Sequence, residues 1–142
     1  MKKFNVVLLI TLLFTVGGLL TACGNHQKTA NSEPQTVTVD SQQGKKYLDN
    51  MKQKKLVVEK PDNIEVANTS KNVKASSGIK FTAKHNTSAR IYQFDNTDDA
   101  QKANIYYSGK KLQTHLKGRT LLVMGKTLNK KDFRNYQSAI FK

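Results

Sequence analysis

The sequence predicts an α+β domain: a small mixed sheet containing a β-hairpin and a β-α-β unit, with helices packed on one face and a C-terminal helix. Three observations carry that expectation. Residues 79–83 and 89–94 are strand-like runs of apolar and polar side chains flanking a polar turn at 85–88, as in a half-buried hairpin. Residues 98–117 carry apolar side chains at helical spacing between the strand-like runs 89–94 and 120–124, the arrangement of a crossover unit. Beyond Asn129, the residues Phe133, Tyr136 and Ile140 fall on one helical face.

Each element has a local reason. Helix 45–55 presents Tyr47, Leu48 and Met51 on a narrow apolar face, with Ser41 or Gly44 as its cap. Leu56-Val57-Val58 is a short β-favouring run stopped by Pro61-Asp62-Asn63. Residues 64–67 and 73–76 read as weak strands, the second followed by a turn at Ser77-Gly78. Asn96 or Thr97 caps the next helix, and Asp98 and Asp99 suit the positive end of its dipole. Ala100, Ala103 and Tyr107 share its inner face. After Gly109 the apolar face changes phase to Leu112 and Leu116, so the helix ends near Ser108 or kinks there. Gly118-Arg119 is a turn, and 120–124 is the run expected to lie centrally in the sheet. A right-handed parallel crossover is the expectation for the 89–124 unit, which makes the sheet mixed. Asn129 caps the last helix, with Asp132 in its first turn.

The chain has 142 residues, with 24 Lys and Arg against 10 Asp and Glu, a formal net charge of +14. Trp is absent and there is one Cys, which excludes an intrachain disulfide framework. The apolar residues are unevenly spread. Met1-Lys2-Lys3 gives a positive start, and 6–20 is a nearly unbroken apolar run. That run is short of the ~20 residues a membrane-crossing helix needs, and it fits the hydrophobic region of a secretory signal. It ends in Leu20-Thr21-Ala22-Cys23, with the only Cys of the chain in last place.

These residues resemble the bacterial lipoprotein signal, whose lipobox is an aliphatic residue, a small residue, Gly, Ala or Ser, and then Cys. The resemblance covers 1–23 only. It implies that the Cys23 thiol takes a diacylglycerol and that cleavage falls between Ala22 and Cys23. It also implies that the new amino terminus is open to acylation, with palmitate for example, and that the domain is held on the extracytoplasmic face of a bacterial cell membrane. Two acyl chains, at ~0.8 kcal/mol per buried CH₂, give stable attachment where one does not. The expected organisation is a signal peptide over 1–22, lipidated Cys23 with a flexible tether to 43, and a small basic α+β domain over 44–142. The tether reading rests on 24–43, where Val37 and Val39 are the only aliphatic side chains larger than Ala; the alternative is that 36–39 forms an edge strand of the domain.

Constellations for catalysis are weak. Gly125-Lys126-Thr127 lacks the glycine that a phosphate loop needs five positions earlier, where Thr120 stands. Asp95, Asp98 and Asp99 lack calcium-loop spacing and suit helix capping. His26, His85 and His115 are isolated from partners at metal-ligand offsets. Ser76-Ser77-Gly78 is not a nucleophile elbow. Catalytic residues, metal and cofactor are therefore all expected to be none. Charge is the remaining signal. Lys52, Lys54, Lys55, Lys110, Lys111, Lys130 and Lys131 are candidate polyanion contacts, with Lys60, Lys117 and Lys126 near them. The basic residues are mostly Lys, a point charge without the guanidinium fork, which disfavours specific nucleic-acid reading. Tyr106-Tyr107 beside Lys110-Lys111 could stack bases, although core packing is the stronger expectation.

The resulting expectation is a membrane-anchored, non-enzymatic binding or interaction module at the bacterial cell surface. Its partners would be anionic lipid headgroups, wall polymers or an envelope protein. The alternatives are an accessory or exclusion lipoprotein of a plasmid or prophage transfer system, and a small envelope enzyme or inhibitor.

Overall fold

A computed structural model describes residues 35–65, 68–70 and 73–142. The lipobox Leu20-Thr21-Ala22-Cys23 and His26 lie outside the described residues, as do 66–67 within the weak strand expected at 64–67.

The first helix, α1 (Gln42–Gln53), is set by Ser41, whose Oγ accepts the Gly44 N–H at 3.0 Å. It buries Gly44, Tyr47, Leu48 and Met51. The next elements are β1 (Glu59–Asn63), β2 (Asn68–Ser70), β3 (Val73–Lys74), β4 (Ser77–Ala83) and β5 (Thr87–Gln93). They are followed by α2 (Thr97–Gly109), β6 (Gln113–Lys117), β7 (Thr120–Met124) and α3 (Lys130–Ile140). Asn96 and Asn129 cap α2 and α3 by accepting the N–H of Asp99 and Asp132, each at 2.8 Å. Both caps match the sequence expectation.

Five strands form one sheet in the order β1-β4-β5-β7-β6, and β2 and β3 form a separate two-stranded ribbon. Strand alternation divides the interior in two. Ile79, Phe81, Ala83, Ala89, Ile91, Leu122 and Met124 face α1 and α3 in one core. Tyr92, Phe94, Leu121 and Val123 face α2, Val73 and Ala75 in the other.

The α+β class is as the sequence predicts, with the hairpin β4–β5 and the C-terminal helix in place. Two finer expectations are corrected. The sheet is antiparallel at every pairing, not mixed. The cause is β6: residues 113–117 leave the helix and turn back through Gly118, at φ 58, so that β7 returns antiparallel to β5. The 89–124 unit is thus not a parallel crossover. Helices also cover both faces, α1 and α3 on one and α2 on the other, because adjacent positions of β7 feed opposite cores.

Three boundaries shift as well. Leu56-Val57-Val58 is not a strand; the strand is β1, which contains Pro61. An edge position makes this tolerable, since one side of β1 needs no donor. Ser77-Gly78 opens β4 instead of forming a turn. Finally, part of the expected tether is structural. Val37 is fully buried in the α1/α3 core, and its N–H donates to Ser77 Oγ at 2.9 Å. Val39 N–H donates to Asn63 Oδ1 at 2.8 Å. The described residues from Gln35 onward belong to the compact unit, so the domain begins before 44.

Candidate functional site

The expected cationic residues separate into groups once α1 and α3 are seen side by side. Asn50 donates to Ala139 O at 2.9 Å, and Lys54 Nζ donates to Ser138 Oγ at 2.6 Å, tying the two helices together. Because both bury one face against the sheet, their outer faces form one surface. It exposes Lys45, Lys46, Lys52, Lys54, Lys55, Lys130, Lys131 and Arg134, with Asp49 as the exposed acid within the helices and Asp40 exposed just before the α1 cap. Asp132 is partly covered and already occupied by Lys84 at 3.2 Å. That contact holds the Asp132 carboxyl below its ordinary range, first through the Lys84 hydrogen bond.

Lys110 and Lys111 are not part of this surface. They follow the C-terminal end of α2, which packs on the opposite face of the sheet. Lys110 lies 4.2 Å above the Tyr106 ring and hydrogen-bonds the Tyr106 hydroxyl. Tyr107 is buried, with its hydroxyl 2.8 Å from that of Tyr92, and burial pushes its phenol well up. This pair is core, so the base-stacking reading has no surface of two free rings to use.

A second basic group was missed by the sequence reading. The alternation that sends Ile79, Phe81, Ala89 and Ile91 inward sends Lys80, Thr82, Ser88 and Arg90 to the α2 side of the sheet. There α2 packs over β6 and β7 and the β2–β3 ribbon. The β4–β5 strip beyond it forms an open cavity of about 210 Å³, lined by Lys60, Lys80, Phe81, Thr82, Ser88 and Arg90. Register places Lys80 directly opposite Arg90, and Thr82 opposite Ser88. Like charges facing each other across strands are unfavourable. Asp62 relieves one of them, with Lys80 Nζ 3.0 Å away, and that hydrogen bond draws the Asp62 carboxyl down. Lys60 reaches the cavity from a bulge in β1, where its φ is 49. Among the described residues, the side chains of Lys60 and Arg90 make no hydrogen bond or ion pair. The signal was present in the sequence: Lys80 and Arg90 are outward positions of a recognised hairpin. What was lacking was the register, because the turn is Lys84–Asn86 and not 85–88.

A larger open cleft of about 440 Å³ lies between β6 and α3, lined by His115, Lys117, Arg134, Gln137, Ser138 and Phe141. His115 stands edge-on to Phe141, ring centroids 4.8 Å apart. Burial, and then the nearby Lys117, lower its pKa. Its side-chain hydrogen-bond neighbour is Gln137, at 3.4 Å, and not a carboxylate. Gly125-Lys126-Thr127 is a turn leaving β7, in which Thr127 Oγ1 lies 2.8 Å from Thr87 Oγ1. Asp98 and Asp99 stand in the first turn of α2, consistent with capping. Among the described residues no cluster of three or more metal-binding side chains occurs, and no helix is long and apolar enough to cross a membrane.

No protein-family model matches the chain, and neither a curated protein nor a solved structure matches it.

Proposed function

We propose that this protein is a lipoprotein anchored through Cys23 to the extracytoplasmic face of a bacterial cell membrane. In this reading it is a non-enzymatic binding module that applies its α1/α3 surface to anionic lipid headgroups. The observation that carries the reading is the one-sided charge of that surface, eight exposed cations against Asp49 and the adjoining Asp40. The entry of the chain supports it. Gln35 donates to Gln43 on α1 at 3.1 Å, so the segment from Cys23 joins the domain on the cationic layer. Eleven residues lie between Cys23 and Gln35, twelve chain steps with a reach of at most about 43 Å. Within that reach, each lysine meeting an anionic surface contributes about 1 kcal/mol. Lipid and basic surface thus act as two signals, the combination that gives durable attachment.

Two measurements test this reading. Mass spectrometry of the native protein is expected to find a chain beginning at acylated Cys23; an intact leader without lipid refutes the anchor. For the surface, the mature chain carrying Cys23→Ser is sedimented with phosphatidylglycerol vesicles. Binding is expected to fall steeply between about 50 and 300 mM salt, as screening shortens the field. It is also expected to fall in Lys52→Glu/Lys130→Glu. Equal sedimentation with neutral phosphatidylcholine vesicles, or no loss in the double variant, refutes the headgroup contact.

A further inference from the structure

We propose that the open strip of sheet between β1, β4 and β5 is a binding site for a phosphate group, held by Arg90, Lys60 and Lys80 with the Thr82 and Ser88 hydroxyls. The argument does not depend on lipidation or on the helical surface. Arg90 is half-buried, has no hydrogen-bond or ion-pair partner among the described residues, and lines a cavity of about 210 Å³. The nitrogens of this guanidinium are not sealed from solvent, so its fork of donors stands open beside the cavity, where an oxyanion can take two of them at once. The groups around it are of the matching kind. Lys80 is directly opposite and Lys60 comes from the neighbouring strand, while Thr82 and Ser88 form the next cross-strand pair.

Asp62, which does not line the cavity, takes up part of the Lys80 charge at 3.0 Å. Glu59 is opposite Thr82 in register but does not line the cavity. The remaining donors, two cations and two hydroxyls, suit a tetrahedral oxyanion carrying more than one charge. The cavity is open on one side, so the phosphate can be free or can be the exposed end of an ester. Binding relieves the Lys80–Arg90 repulsion, and the folded state is thereby stabilised by the ligand.

The test uses the full lipoprotein purified in detergent and titrated with inorganic phosphate at constant ionic strength. Binding is followed by calorimetry and by the melting temperature. A saturable response is expected. Arg90→Gln should raise the midpoint at least about tenfold, because it removes the charged donors. Arg90→Lys, which keeps the charge without the fork, should raise it a few-fold. Lys142→Gln removes the same charge from the exposed residue after α3, outside both basic surfaces, and should change it less than about twofold, as a screened distant charge does.

The melting temperature without phosphate checks the fold of each variant, and Arg90→Lys keeps the test open if Arg90→Gln does not fold. Parallel titrations with glycerol 3-phosphate and with phosphatidylglycerol vesicles separate the sources. Arg90-dependent binding of the soluble ester assigns a small phosphomonoester, and Arg90-dependent binding of vesicles assigns a headgroup. Equal weakening by Arg90→Gln and Lys142→Gln overturns the site, as does a response that never saturates. Vesicle binding that is indifferent to Arg90, with no phosphate response, also overturns it while leaving the helical surface reading intact.

Discussion

Replacing Gly44 with alanine tests whether the 35–41 segment is truly part of the domain. A Cβ at Gly44 would lie 1.7 Å from Thr38 O and 2.9 Å from Ile79 Cδ1, distances no real pair of atoms tolerates. The Thr38 carbonyl is backbone, so the segment itself must move. Moving it withdraws Val37, which is fully buried, and breaks the Val37 N–H bond to Ser77 Oγ. Exposing a buried valine costs about 1.5–3 kcal/mol, and orphaning a buried polar group about 1–3 kcal/mol. Gly44→Ala should therefore destabilise by about 3–5 kcal/mol, allowing for partial relaxation. Gly109→Ala is the control. It closes α2 with nothing within 4 Å of its would-be Cβ, and should stabilise by about 0.5–1 kcal/mol through helix propensity. The assay is urea unfolding followed by far-ultraviolet circular dichroism, since the chain has no Trp. If Gly44→Ala unfolds within about 1 kcal/mol of the parent, the segment is not packed as described and the domain begins later.

Other expectations concern titration and hydrogen bonding. His115 has a lowered pKa, chiefly from burial, so the fold prefers its neutral form. Its contribution to stability is full above its ordinary value of 6.5 and is lost as pH falls from there through its folded value. Stability measured against pH should decline below 6.5, and His115→Gln should flatten that decline; an unchanged profile refutes it. Lys84→Ala should let the Asp132 carboxyl rise toward 3.8 in a nuclear magnetic resonance titration and remove stability present above that pH; an Asp132 that does not move is unpaired in solution. Tyr136 donates to Val57 O at 2.7 Å and accepts from the Lys84 N–H at 3.3 Å. Tyr136→Phe should lower the unfolding free energy by about 1–3 kcal/mol, and a neutral result would mean water replaces both bonds.

The elements easiest to read from sequence were those whose local chemistry and tertiary role agree. Helix α3 has its cap at Asn129, its acid at Asp132 and its buried Tyr136 and Ile140 in agreement. The β4–β5 hairpin likewise alternates apolar and polar side chains along most of its length. Reading failed where one pattern serves two structures. Leu112 and Leu116 are four apart, a spacing that suits one face of a helix and equally one face of a strand. Only the pairing of β6 with β7 decides for the strand. Val37 shows a different limit: Thr36-Val37-Thr38-Val39 alternates as an edge strand would, yet the segment is not a strand, and the burial of Val37 depends on a socket built from α1 and β4. Pro61 marks a stop in any local reading, yet an edge strand accepts it. The helical cations were legible as composition, and their gathering onto one surface required knowing that α1 and α3 are neighbours. Arg90 is one of few arginines in a lysine-rich chain, and its significance comes from lacking a partner, which no sequence displays.

The way the chain enters the domain also governs its response to tension. A pull directed back along residues before Gln35 meets the Gln35–Gln43 contact first, then the Val37 plug, then the bonds to Ser77 and Asn63. These fasten the segment at separate points, so they give way in succession, as in a zipper. Ser77 opens β4 and Asn63 ends β1, so the pull reaches the sheet only at those two strand ends, and the β5–β7 pairing behind them is not loaded directly. A copy held to a surface and dragged by whatever it has grasped would thus pay out slack at this corner first, lengthening its leash while its grip stays folded.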